Sequence, residues 1–295
     1  MFAAPGYRER SAVRWTTMPP ALRRTGVRTA WADANRGGEA IDSFLEGPCF
    51  DADGSLVVVD IPHGRLLRID PAGAWSTLCE YDGWPNGCKR LADGTLLVAD
   101  YRRGLVSVDP LRGTVSDRLA HHHSEGFKGL NDLHVGADCS VWFSDQGQTG
   151  LHDPSGRVYR LWPNGQLQVV LNNVPSPNGL ALSPDGRALF VAVTRDASVW
   201  RGAVMADGSI GKVGRFVSFF GATGPDGLAF DALGRLWVAH PSGESVWIVA
   251  ASGEIEGRVR LAAGAFPTNL AFFPDGRRAA ITASGEGAVY VCDVA

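Results

Sequence analysis

The sequence predicts an all-β fold, a six-bladed β-propeller with four antiparallel strands per blade. Three observations predict it. A tight-turn pattern recurs six times, closing on Gly54, Gly94, Cys139, Gly186, Gly234 and Gly276, so that only the third copy replaces the glycine. Counting back eight residues from each gives Glu46, Asn86, Asn131, Asn178, Asp226 and Thr268, separated by 40, 45, 47, 48 and 42 residues. That period is the one expected of four-stranded blades. After each turn come short apolar runs, such as Leu56-Val-Val-Val59 and Leu236-Trp-Val-Ala239, punctuated by further turns. WD40 signatures are missing, and a parallel β-helix needs a much shorter period.

Composition bounds what such a chain can do. The 295 residues are 45% hydrophobic and 20% charged, ordinary for one large all-β domain, and 37 glycines with 17 prolines suit a chain that turns often. A net charge of −3 provides no basic field for phosphate backbones, so a nucleic-acid partner is not expected. Five cysteines, an odd number without paired spacing, are expected to be reduced. Arg8, Glu9, Arg10, Arg14, Arg23 and Arg24 interrupt any apolar leader, and no window approaches the roughly 18 apolar residues of a membrane span. These features together point to a cytoplasmic chain without membrane partners.

In chain order, residues 1–25 read as an irregular arm and residues 26–295 as a single propeller domain. Residues 27–32 alternate apolar with polar side chains as a half-buried strand does. Blade one then takes residues 48–50, 56–59, 65–69 and 75–79. Blade two repeats this through 95–99, 105–108 and 114–119. In blade three a polar insertion, residues 146–157, separates Val141-Trp-Phe143 from Val158-Tyr-Arg-Leu161. Blades four and five follow the same plan. Blade six ends the chain one strand short after Val289-Tyr-Val291, and a ring of blades must close to leave few open edges, so the strand at residues 27–32 is expected to complete it.

The register positions also predict a site. The innermost strand of each propeller blade runs along a central channel, so the six residues form a ring at one mouth, and all six carry a side-chain oxygen. Bonding to nearby backbone amides would account for any single Asn or Thr. It does not account for Glu46 and Asp226, because two carboxylates crowded into a channel repel and need a cation or a proton between them. Carboxylates and amides without thiolate or imidazole are the ligand set of a hard divalent cation, Ca²⁺ first, with Mg²⁺, Mn²⁺ and Zn²⁺ as alternatives. The candidate ligands are Glu46, Asn131, Asn178 and Asp226. On the same mouth, second-strand ends and lead-in loops place Asn86, Asn131, Tyr101, Asp145 and His240 as candidate substrate contacts. His121-His-His123 lies in a lead-in loop and reads as solvated chain, since three consecutive residues do not readily face one ion.

Four motifs in order, Leu45-Glu-Gly-Pro48, Leu130-Asn-Asp132 with Trp142-Phe-Ser-Asp145, Pro177-Asn-Gly-Leu-Ala181 with Ser183-Pro-Asp-Gly186, and Pro225-Asp-Gly-Leu-Ala229, resemble those of the senescence-marker-protein/gluconolactonase/luciferin-regenerating-enzyme family. Residues 81–87 and 145–160 look most similar to its bacterial drug-responsive lactonases. The resemblance implies a metal-dependent lactonase, a carboxylic ester hydrolase acting on a small lactone. It implies direct metal ligation by Glu46, Asn178 and Asp226, with Asn131 beside the metal and Asp226 also as general base. Animal-type gluconolactonases carry an arginine two residues before the Asn131 position, where this chain has Gly129. A sugar-acid lactone is therefore not the expected substrate. A phosphotriester hydrolase on the same site and a non-catalytic ligand-binding propeller are the alternatives.

Overall fold

The computed structural model describes residues 6–221 and 223–294. Six blades, each built on four antiparallel strands, follow one another along the chain. Blade one is Leu45–Phe50, Leu56–Asp60, Arg65–Ile69 and Trp75–Glu80, from inside to outside. The later blades begin with Pro85–Arg90, Leu130–Val135, Pro177–Leu182, Leu228–Phe230 and Pro267–Phe272. Each of these first strands packs against the first strands of the blades on either side, and blade six meets blade one, so the ring is closed around a channel.

Burial explains the apolar runs. Second strands are covered on both faces by neighbouring blades, and every residue of Leu56–Asp60 is buried. The outer strand Trp75–Glu80 is largely solvated and correspondingly polar. Hydrophobic cores therefore lie in the seams between blades, as where Trp237, Val246 and Ile248 of blade five meet Ile281 and Tyr290 of blade six. The five cysteines are unbridged, and no described helix is long and apolar enough to cross a membrane.

An N-terminal strand closes blade six, but it is Val13–Thr17 rather than residues 27–32. It pairs antiparallel with Ala288–Asp293, Val13 opposite Val291 and Thr17 opposite Ala288. Just before it, Arg8–Ser11 adds a parallel fifth strand to the outer edge of blade five, against Ile255–Arg260. The expected irregular arm thus carries two strands among its described residues. Its sequence hides this because an outer edge strand needs few apolar side chains: Val13 is 71% exposed, and Arg14 is held by the Glu286 carboxylate at 2.8 Å and the Tyr290 hydroxyl at 3.1 Å.

Residues 27–32 instead lead into a helix, Ala30–Asn35, capped by Thr29, whose Oγ1 accepts the Ala32 N–H at 3.2 Å. The consecutive residues Trp31 and Ala32 are both buried, which a two-residue alternation does not allow. Six residues are too short a window to separate the two periods.

Deleting residues 1–18 is accordingly expected to open the Ala288–Asp293 edge and to remove Met18, which is 1% exposed against Leu45 and Leu56. Loss of that side chain alone costs about 1.5–3 kcal/mol. Size-exclusion chromatography and thermal melting should show a lower Tm and aggregation. An unchanged Tm and elution volume would remove the closing strand from the stability of the ring.

Candidate active site at the channel mouth

The first strands start at one mouth of the channel, where Leu45 pairs with Asp60, Pro85 with Asp100 and Leu130 with Asp145. Glu46 is 4% exposed, and its Oε2 accepts the Gly47 N–H at 2.7 Å and an Asn269 Nδ2 hydrogen at 3.1 Å. Burial first, and then the Asp132 carboxylate, push its carboxyl up to about 8. Asp226 is raised well above its ordinary value by burial, then by Glu46 and Asp132, against a hydrogen bond from Asn178. Glu46 therefore favours its protonated form at neutral pH unless a cation takes the proton's place, and Asp226 is displaced in the same direction.

The amides complete the arrangement. Asn131 donates Nδ2 to Gln146 Oε1 at 3.1 Å, which leaves its own Oδ1 available. Gln146 in turn donates to Ser176 Oγ at 3.0 Å, so the insertion of blade three orients this ring residue. Asn178 is fixed through its backbone carbonyl, which accepts from Ser144 Oγ at 2.7 Å. Among the described residues no three His, Cys, Asp or Glu side chains are grouped to hold a metal. A cation would rest on Glu46, Asp226 and the two Asn oxygens, an all-oxygen set that fits a hard divalent ion.

The other predicted residues divide. Thr268 turns its hydroxyl to the Leu45 carbonyl at 2.8 Å, a backbone bond at the blade six to blade one seam. Asn86 is half-buried at the start of its strand. Asp145, 1% exposed, accepts the Gly129 N–H through Oδ1 at 2.8 Å and so braces the lead-in loop from beneath; its Oδ2 has no protein partner. His240 accepts the Gly243 N–H on Nδ1 at 3.0 Å, and burial holds it below its ordinary pKa, so the neutral ring carries its proton on an unpartnered Nε2. His121–His122 pairs with Glu125–Gly126 as a small hairpin.

Tyr101 directly follows the Leu96–Asp100 strand. Its ring lies 5.6 Å from that of Trp84, and its hydroxyl accepts a hydrogen from Gln148 Nε2 at 3.0 Å. Gln148 also reaches Asn35 Oδ1 at 3.3 Å, tying the N-terminal helix to the loops of blades two and three. A Cβ on Gly129 would stand 2.5 Å from the Tyr101 ring, so this aromatic side chain occupies the space that a larger residue at 129 would need.

Three residues of the channel escaped sequence reasoning. Asp132 and Asn269 are each 2% exposed, and Asn269 Nδ2 bridges Glu46 and Asp132 Oδ2, the latter at 3.2 Å. Lys89 Nζ lies 4.0 Å from Asp132 Oδ1. A signal was present one position past the ring, where the chain reads Gly47, Gly87, Asp132, Gly179, Gly227 and Asn269. The glycines make room: a Cβ on Gly87 would sit 2.5 Å from Asp132 Oδ1, and one on Gly227 would sit 2.2 Å from Asn269 Oδ1.

A family model for the SMP-30/Gluconolactonase/LRE-like region matches residues 44–285, the six blades almost entire. The chain belongs to this family. Its similarity to the gluconolactonase of Zymomonas mobilis is 31% identity over 273 residues, covering 82% of this chain and 76% of that protein. The diisopropyl-fluorophosphatase of Loligo vulgaris is 29% identical over 276 residues, covering 83% and 87%. A gluconolactonase structure from Xanthomonas campestris superposes with a TM-score of 0.77 at 25% identity, covering 99% of this chain and 98% of that one. In this SMP-30/gluconolactonase/LRE-like chain, residues 1–43, including both N-terminal strands and the helix over the mouth, lie outside the matched region.

Proposed function

We propose that the chain is a divalent-cation-dependent hydrolase that opens a lactone ring. The observation that carries this reading is the pair Glu46, buried, and Asp226, half-buried: burial and then Asp132 raise the first, and burial, the Glu46 charge and Asp132 raise the second, which also accepts a hydrogen bond from the Asn178 amide. The name gluconolactonase on a 31% identical relative supplies the substrate class.

A divalent cation held by Glu46, Asn131, Asn178 and Asp226, Ca²⁺ by preference, would polarise the lactone carbonyl and stabilise the oxyanion that forms from it. Asp226, ionised in that state, accepts the proton of the attacking water and returns it to the leaving alkoxide. Asn131, oriented by Gln146, positions the substrate or the water. Tyr101 and Trp84 offer an aromatic wall to the ring substituent, and His240 and Asn86 complete the contacts. Asp145 acts on the pocket through the Gly129 loop. With Tyr101 over Gly129, the wall favours lactones with apolar substituents over polyhydroxylated ones.

A phosphotriester hydrolase is the second reading, favoured by the 29% identity to a fluorophosphatase. Turnover of a lactone panel and of diisopropyl fluorophosphate, each with chelator and after Ca²⁺ is restored, tests both. Lactone hydrolysis lost on chelation and recovered with the ion is expected. Turnover of the fluorophosphate alone would replace the first reading with the second.

A further inference from the structure

The channel has a second mouth, and it is built differently. The later halves of the innermost strands of all six blades enclose a cavity of about 570 Å³, within the range of small-molecule sites. Its walls are apolar, with Leu180 and Leu182 from blade four, Phe230 from blade five and Phe272 from blade six. At its base stands Lys89, whose side chain is 28% exposed although it sits in the channel.

The Lys89 ammonium is poorly matched by protein. The only carboxylate oxygen within 4.0 Å of it among the described residues is Asp132 Oδ1, at that distance and beyond hydrogen-bond length. The carboxylate in the cavity lining, Asp231, is already engaged by Arg235 Nε at 2.6 Å and Trp237 Nε1 at 2.9 Å. His134 also lines the cavity, and burial with the nearby Lys89 charge pushes it down to about 4, so it is neutral at physiological pH. The cavity thus presents one ammonium with unmet donors, one neutral imidazole, apolar walls and no free negative charge.

We propose that this far mouth is a second binding site, for a small monocarboxylate with an apolar body, in which Lys89 takes the carboxylate and the strand ends of blades four to six take the body. A neutral apolar molecule would leave the ammonium donors unmet, which costs a buried polar group its hydration. A cation is excluded by Lys89 itself. A phosphate or other multiply charged anion requires more positive charge and more donors than one lysine provides. The inference does not rest on the lactone reading, because it concerns the opposite end of the channel and is tested by binding.

Octanoate is the probe, titrated calorimetrically into the full chain. Saturable binding is expected, at least about ten-fold tighter than that of 1-octanol or octylamine, which share the body and change the charge. Lys89→Met keeps the length of the side chain and removes the charge, and is expected to weaken octanoate by about ten-fold or more. Should that variant fail to fold, Ala271→Glu places a carboxylate on the partly exposed lining without touching Lys89, with the same expected loss. Absence of octanoate binding, equal affinity for octanol, or retained binding in Ala271→Glu would overturn the proposal.

Discussion

Asp226→Asn is expected to lower kcat for lactone hydrolysis by about 10²-fold or more, with little change in KM. The substitution keeps an oxygen donor at the mouth and keeps the backbone anchor, the Asp226 N–H donating to the Ala239 carbonyl at 2.9 Å. What it removes is the group that takes the proton of water. Calorimetric titration with Ca²⁺ should therefore still register binding, weakened by the loss of one negative charge, while turnover collapses. Near-normal turnover with the variant would take the general-base role away from Asp226. Loss of both binding and turnover would make it a ligand alone.

Removing divalent cations is expected to abolish lactone turnover and to make stability fall steeply with rising pH. The folded-state pKa of Glu46, about 8, lies above its ordinary 4.5, so the native state holds more protons than the unfolded chain between those values. Stability is therefore fully present below about pH 4.5 and is lost as pH rises toward 8, at about 1.4 kcal/mol per pH unit for each such group. Asp226 is displaced in the same direction, by burial and then by Glu46 and Asp132, and adds to the slope. Melting curves at about pH 5 and about pH 8, with EDTA and with Ca²⁺, check this. The chelated protein should melt lower at the higher pH, and Ca²⁺ should restore most of the difference by binding the native state. A Tm independent of both pH and Ca²⁺ would remove the carboxylate pair as a cation site.

Much of the candidate site was legible because it repeats. The eight-residue offset from each turn selected Glu46, Asn131, Asn178 and Asp226 without any knowledge of space, since an equal spacing back from equivalent turns brings equivalent residues to one level of the channel. The same register proved blind to partners. Thr268 sits at the right level, yet its hydroxyl goes to the Leu45 carbonyl. Asp132, Asn269 and Lys89 lie one or more residues further in, and nothing local distinguishes them from polar residues on a solvated strand. The row of glycines beside them was the available clue, readable only once the innermost strands are known to approach within contact.

By itself, the sequence determined the number of blades, the strand plan within each, the need for an N-terminal strand to close the sixth, and the ring of oxygen-bearing residues. These follow from period, from turn chemistry and from alternation, all of which act over a few residues. Tertiary structure decided which N-terminal segment closes the ring. The choice between residues 13–17 and 27–32 depends on which one finds the Ala288–Asp293 edge and which finds the seam of blades one and two, where Trp31 and Ala32 are buried as helix. It also decided the electrostatics, because the raised pKa values of Glu46 and Asp226 come from burial and from charges nearly a blade apart in sequence or more. The Tyr101 ring over Gly129 joins neighbouring blades in the same way. Such contacts arise where separate repeats converge, and a repeat carries in its own residues no record of what the next one places against it.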